Sequence, residues 1–263
     1  MNHIEISLLS LSTLSIVVFL AMAISRLLGL GIGRRTLIAF TRMALQLALV
    51  GIYLEVIFRL NNLWINLLWI LAMITVANLN ILSNSGLSRK KFFLSGMGAL
   101  CAALFSIMLY FMIVIVSPEP IYDARYFIPI AGMVLGNCLR SNVVALERFF
   151  SSIKRQEKAF LSYLMMGAAP HEAIRPFARD AVRAAMNPGI SSVATMGLVA
   201  LPGMMTGQIL GGALPLTAIK YQIAVMIAIF TASLISVCLN IYLSLKVAFN
   251  EYGMLEKSIM DKI

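Results

Sequence analysis

Seven stretches of the chain, at residues 5–25, 37–58, 63–82, 92–116, 127–146, 188–211 and 221–245, are apolar almost throughout. Each is close to the ~20 residues that a helix needs to cross the hydrocarbon core of a bilayer. The fold expected is therefore all-α, a polytopic membrane bundle of about seven transmembrane helices. Composition points the same way, since only 12% of the 263 residues are charged and 60% are hydrophobic, whereas charge makes up roughly a quarter of a soluble domain.

The net charge of +10 could belong to a nucleic-acid binder, so the placement of the basic residues decides. Arg26, Arg34 and Arg35; Arg89, Lys90 and Lys91; the run from Arg148 to Arg183; and Lys246, Lys257 and Lys262 all fall on one side if the first span runs from outside to inside. Arg59, Arg125 and Lys220 fall on the other side, and Arg42 and Arg140 lie within spans. The positive-inside rule then orients the chain N-terminus out and C-terminus in. The charge is topological, and no nucleic-acid partner is expected. "MNHIEIS" carries no Lys or Arg ahead of the first apolar run, so that run is expected to be a retained anchor. Cys101, Cys138 and Cys238 sit singly in three spans and read as small apolar packing residues.

The connections are short, leaving no room for a separate soluble domain, and a single transmembrane domain, 1–263, is expected to account for the whole chain. The exception is the segment 147–187, the one sizeable cytoplasmic element. It reads as two helices split at "GAAPHEA". Pro170 opens the second, where its missing N–H needs no partner. Ile174, Phe177, Ala178, Ala181, Val182 and Ala185 then share one face, Arg175, Arg179 and Arg183 recur every fourth residue on another, and "MNPG" at 186–189 ends the helix. Such a helix either lies on lipid headgroups or docks into a cytoplasmic partner, and the pattern alone leaves both open.

No GxxxxGK[ST] loop occurs, so any ATP hydrolysis belongs to another polypeptide and the chain itself is not expected to be an enzyme. "HEAIR" at 171–175 lacks the second histidine of a zinc protease. His3 and His171 both lie outside the spans, and the 17 methionines are scattered as core filler would be. No cofactor is expected, and no metal ligands can be assigned. Polar residues within spans are more informative, because hydrocarbon penalises them unless they are paired or wet. Arg42 and Gln46 lie one turn apart with Glu55 further out, Asn137, Arg140 and Ser141 share a face, and Ser233, Ser236, Asn240 and Ser244 form a stripe. The arginines could snorkel to headgroups or line a translocation path, together with Gln46 and Asn137. The stripe could bind helices together.

The segment "TMGLVALPGMMTGQILGGALPLTAIKYQI" at 195–223 has two prolines and five glycines in an apolar run. Asn187 and Pro188 look like an N-cap and first helical residue, and Pro202 predicts a kink in mid-span. Gly203, Gly207 and Gly211 make a smooth ridge for close helix approach. A kinked helix directly after a docking element suits a gate.

These blocks, with "PIAGMVLGN" at 129–137, "GAAPHEA" at 167–173 and "RMALQLALVG" at 42–51, resemble the FetB (YbbM) family of ABC-transporter permeases over nearly all the chain from about residue 30. The resemblance implies an inner-membrane, multi-pass permease subunit working as a homodimer with a separate FetA-type ATPase subunit. It further implies iron export and resistance to oxidative stress. The segment around Gly167, Pro170, Glu172, Ala173, Arg175, Arg179 and Arg183 is then similar to the coupling helix that sits in the ATPase groove. One departure is that "EKA" at Glu157 precedes Gly167 by ten residues, further than in the general permease loop signature. The alternatives are an ABC permease for another metal or a nucleotide-sugar-like solute, and an ion-coupled carrier without an ATPase.

Overall fold

The computed structural model describes residues 7–249 and Leu255, so His3, Lys257 and Lys262 lie outside the described residues. Two compact units divide the chain after Leu60. In the first, α1 (Leu8–Leu27) and α2 (Gly33–Leu60) form a helical hairpin. Its turn depends on glycine, since Gly29 and Gly31 take φ of 64° and 67°, the left-handed region that costs other residues most.

In the second unit, which begins at Asn61, the side chain of Asn62 accepts the Trp64 N–H at 2.9 Å and caps α3 (Leu63–Asn84). After a tight turn, α4 (Arg89–Tyr110) runs on as a π-helical turn through Val116 and stops at Ser117, which is left-handed. Asp123 accepts the Arg125 N–H at 3.0 Å and opens α5 (Ala124–Arg155). Then follow α6 (Glu157–Met165), α7 (Pro170–Thr195), α8 (Gly203–Leu210) and α9 (Pro215–Ala248). At 1.5 Å per residue, the 32 residues of α5 and the 34 of α9 extend roughly 48 and 51 Å. Both outrun the ~30 Å hydrocarbon core, so each must continue beyond it.

The core lies where α9 packs on α4 and α5, with α3 and α7 flanking α5. Lipid is as apolar as leucine, so helices within it associate by close packing and polar contacts. The buried positions fit that rule: Ala99 and Ala103, Ala131 and Ala145, Ala181 and Ala185, Ala218 and Ala232. At one end, rings close the bundle. Phe92 of α4 meets Phe150 of α5 edge-on, and Phe160 of α6 meets both Phe177 of α7 and Phe249. This end therefore gathers the basic residues 89–91, the segment 148–183 and Lys246.

Five described helices are long and apolar enough to cross a membrane: α2, α3, α4 with its π turn, α5 and α9. The sixth stretch read from sequence differs. Asn187 and Pro188 do not start a helix, and "MNPG" does not end one, because α7 passes through both to Thr195. Pro188 removes one rung of the ladder, but buried Ala181, Ala185 and Met186 hold the helix against its neighbours on the near side. Packing here overrides propensity. Nor does Pro202 kink a continuous helix: residues 196–202 leave the helix altogether, and Pro202 precedes α8 as an extended residue. Two local causes combine, since Gly197 turns left-handed at φ 87° and proline keeps Leu201 out of the helical region. The first cytoplasmic helix is also divided differently, because α5 runs unbroken to Arg155 and α6 starts only at Glu157.

Candidate functional site

At the basic end, α6 and the start of α7 make a helical hairpin whose turn uses Gly167 at φ 90°. Pro170 is the first helical residue of α7, and Glu172 Oε2 accepts the Ala169 N–H at 2.9 Å, which fixes the entry of the chain into the helix. The face carrying Ile174, Phe177, Ala181 and Ala185 is buried as its periodicity predicts. Ala173 is buried as well, at 1% exposure, so it belongs to the packing of this hairpin and not to its outer surface. Arg175, Arg179 and Arg183 are exposed. Arg148 of α5 donates through Nε to Asp180 Oδ2 at 2.8 Å, tying α7 to α5 across a half-exposed surface.

The apex of the hairpin is apolar where solvent would favour charge. Met165 is 81% exposed and Met166 74%, with Tyr163 exposed beside them. None of these belongs to a helix long enough to cross a membrane. The pattern of α7 leaves a lipid-surface helix and a docking element both open, and the structure adds that the bare apolar tip lies on α6.

Inside the bundle the serine and asparagine stripe of α9 meets α5. Asn142, fully buried and overlooked as a site residue, joins the two helices. Its Nδ2 donates to Ser236 Oγ at 2.8 Å and to the Cys138 carbonyl of its own helix at 2.8 Å. Asn240 Nδ2 donates to Asn142 Oδ1 at 2.9 Å, and Ser236 Oγ donates to the Ser233 carbonyl at 3.0 Å. The stripe is thus a hydrogen-bonded seam. A second seam joins α3 to α4: Asn78 Nδ2 donates to the Phe93 carbonyl at 2.8 Å, and Asn78 Oδ1, which has no conventional donor, faces the α-carbon of Gly96. Glycine permits this approach because it has a Cα–H where any other residue carries a Cβ.

Asn137, Arg140 and Ser141, together with Ser233 from the stripe, line a cleft of about 290 Å³ between α5, α7 and α9. An adjoining apolar pocket of about 900 Å³ lies beneath the break between α7 and α8, with Gln222 in its wall. Arg42 and Gln46 share an exposed face of α2 in the first unit, and Glu55 pairs with Arg59 on the same helix. Among the described residues no three His, Cys, Asp or Glu side chains group to hold a metal ion. The glycine face of α8 is bare: a Cβ at Gly203 or Gly207 would meet nothing within 4 Å, and one at Gly211 would meet carbonyls of its own helix turn.

Sequence profiles match residues 8–249 to an uncharacterised protein family, UPF0014. A UPF0014 membrane protein of Synechocystis sp. is 37% identical over 84% of this chain and 87% of its own. Protein ALUMINUM SENSITIVE 3 of Arabidopsis thaliana is 32% identical over 87% and 82%. The probable iron export permease protein FetB of Escherichia coli is 30% identical over 95% of both. No solved structure matches the chain.

Proposed function

The chain belongs to the UPF0014 family of membrane proteins, and on that premise we propose that it is the permease subunit of an ATP-driven exporter. In this reading two copies pair in the inner membrane with a separate FetA-type ATPase, which carries the hydrolysis, and the exported metal is iron, as in the name of the Escherichia coli relative. Resistance to oxidative stress would follow from removing iron. The chain crosses the membrane seven times, N-terminus out and C-terminus in. The sixth crossing is a broken one, made by the end of α7, the turn at 196–202 and α8. Half-helices of this kind are a recurring device at transport sites. Gathering of the basic segments at one end of the second unit supports that orientation.

The observation that carries the reading is the apolar tip of the α6–α7 hairpin, Tyr163, Met165 and Met166, exposed among basic side chains beyond the spans. Exposed methionines form adaptable contact surfaces, and a hairpin built on the ends of α5 and α7 can pass a push from the ATPase directly to the broken crossing. Arg175, Arg179 and Arg183 would flank the contact. The test is to co-express the chain with the ATPase and replace Met165 and Met166 together by glutamate. Buried contact residues at such interfaces are each worth up to about 2 kcal/mol or more, so co-purification and transport should both fall by more than tenfold while the permease still inserts. Undiminished association and transport would refute the docking role.

A further inference from the structure

The cleft between α5, α7 and α9 has two kinds of wall. Its polar lining is Asn137, Arg140 and Ser141 of α5, Ser192 of α7 and Ser233 of α9, and its apolar lining includes Met186 and Val193 of α7 with Met226 and Phe230 of α9. Arg140 is exposed at the cleft, and among the described residues its guanidinium has neither an ion-pair nor a hydrogen-bond partner. No carboxylate lines the cleft. An unpaired guanidinium within an apolar span needs a counter-charge or water, and its planar fork suits the paired oxygens of a carboxylate or phosphate. Hydroxyl groups can donate to the same oxygens. The volume of about 290 Å³ lies at the lower limit of small-molecule sites, about ten times the ~30 Å³ that a water occupies in the liquid.

We infer that this cleft binds a small organic anion, its carboxylate or phosphate held by Arg140 and its apolar body laid against Met226 and Phe230. The inference rests on the permease reading and names the class of its substrate. A bare metal cation would meet the positive charge of Arg140 with no carboxylate to offset it, so metal would travel through this site only as part of an anionic complex. The apolar wall selects a ligand with a carbon body over inorganic phosphate.

The experiment measures thermal unfolding of the full chain in nanodiscs of zwitterionic lipid, titrated with salicylate, benzyl alcohol, benzyltrimethylammonium or inorganic phosphate. Salicylate should raise the midpoint saturably, phosphate more weakly, and the neutral and cationic probes not at all. Arg140→Gln should weaken the apparent affinity for salicylate at least tenfold, with Arg140→Lys in between. If Arg140→Gln fails to fold, Ser192→Leu, which fills the cleft from α7, should give the same loss. Equal salicylate affinity in wild type and variants would overturn the proposal, as would an equal effect of benzyl alcohol. A shift produced only by adding phosphatidylglycerol would assign Arg140 to lipid headgroups and overturn it too. Because no ATPase is present, this outcome is separate from that of the docking test: a chain that assembles with its ATPase but binds no anion refutes this inference alone.

Discussion

Replacing Asn142 by alanine removes a side chain that bonds α5 to α9 through both of its polar atoms. Two interhelical bonds are lost, the donation to Ser236 Oγ at 2.8 Å and the acceptance from Asn240 Nδ2 at 2.9 Å. Side-chain bonds between membrane helices contribute about 0.6 kcal/mol on average and up to about 1.7. The single change should therefore cost about 1–3 kcal/mol, before any contribution from the space left behind. A double-mutant cycle separates the bond from the space, because Asn142→Ala, Asn240→Ala and the double variant share every other loss. The coupling expected is that of one bond, about 0.6–1.7 kcal/mol, or about three- to eighteen-fold in the ratio of folded to unfolded protein. Reversible unfolding of the full chain in mixed micelles with increasing sodium dodecyl sulfate would measure it. A coupling below about 0.2 kcal/mol, or an Asn142→Leu variant as stable as wild type, would show that the seam is packing alone.

Two further expectations concern glycines in opposite settings. A Cβ at Gly96 would run into Asn78 Oδ1, and overpacking of this kind costs about 1–3 kcal/mol, so Gly96→Ala should unfold at lower denaturant while Gly98→Ala, which meets only Leu243 at 3.9 Å, should not. Equal stability of the two would refute the close α3–α4 approach. A Cβ at Gly207 meets nothing within 4 Å, so Gly207→Leu should leave the stability of the isolated subunit within about 0.5 kcal/mol, yet abolish transport and cross-linking of two copies if the α8 face is where they meet. Normal transport in that variant would remove the ridge from the gate.

Local chemistry made much of this architecture readable in one dimension. The 20-residue apolar runs, the basic clusters that sort to one end, Pro170 at the head of α7 and the buried face from Ile174 to Ala185 are all set by periodicity and by the cost of burying polar backbone. The same reasoning went astray at Pro188 and Pro202, and for one reason. Whether a proline is tolerated in a helix depends on what holds the turns on either side, and that is a tertiary matter: Ala181, Ala185 and Met186 are buried before Pro188, whereas nothing among residues 197–201 is buried and Gly197 is free to reverse.

Site residues divide along the same line. Which polar side chains lie in the spans is legible from the sequence, and so is the helical face that Asn137, Arg140 and Ser141 share. What each of them touches is not. Asn142 is one residue along from Ser141, which turns it by about 100° around α5, and that rotation alone takes it from the cleft into the seam with Ser236 and Asn240. The sequence by itself determined that the chain is a helical membrane bundle with a basic end and a hairpin beyond it, because the energy of hydrocarbon burial depends on residue type and spacing. Only the tertiary structure decided that the chain leaves the helix at residues 196–202, that the serine and asparagine stripe is a fastening while Arg140 stands unpaired in a cleft, and that the apolar tip is on α6, because each depends on which helix lies opposite.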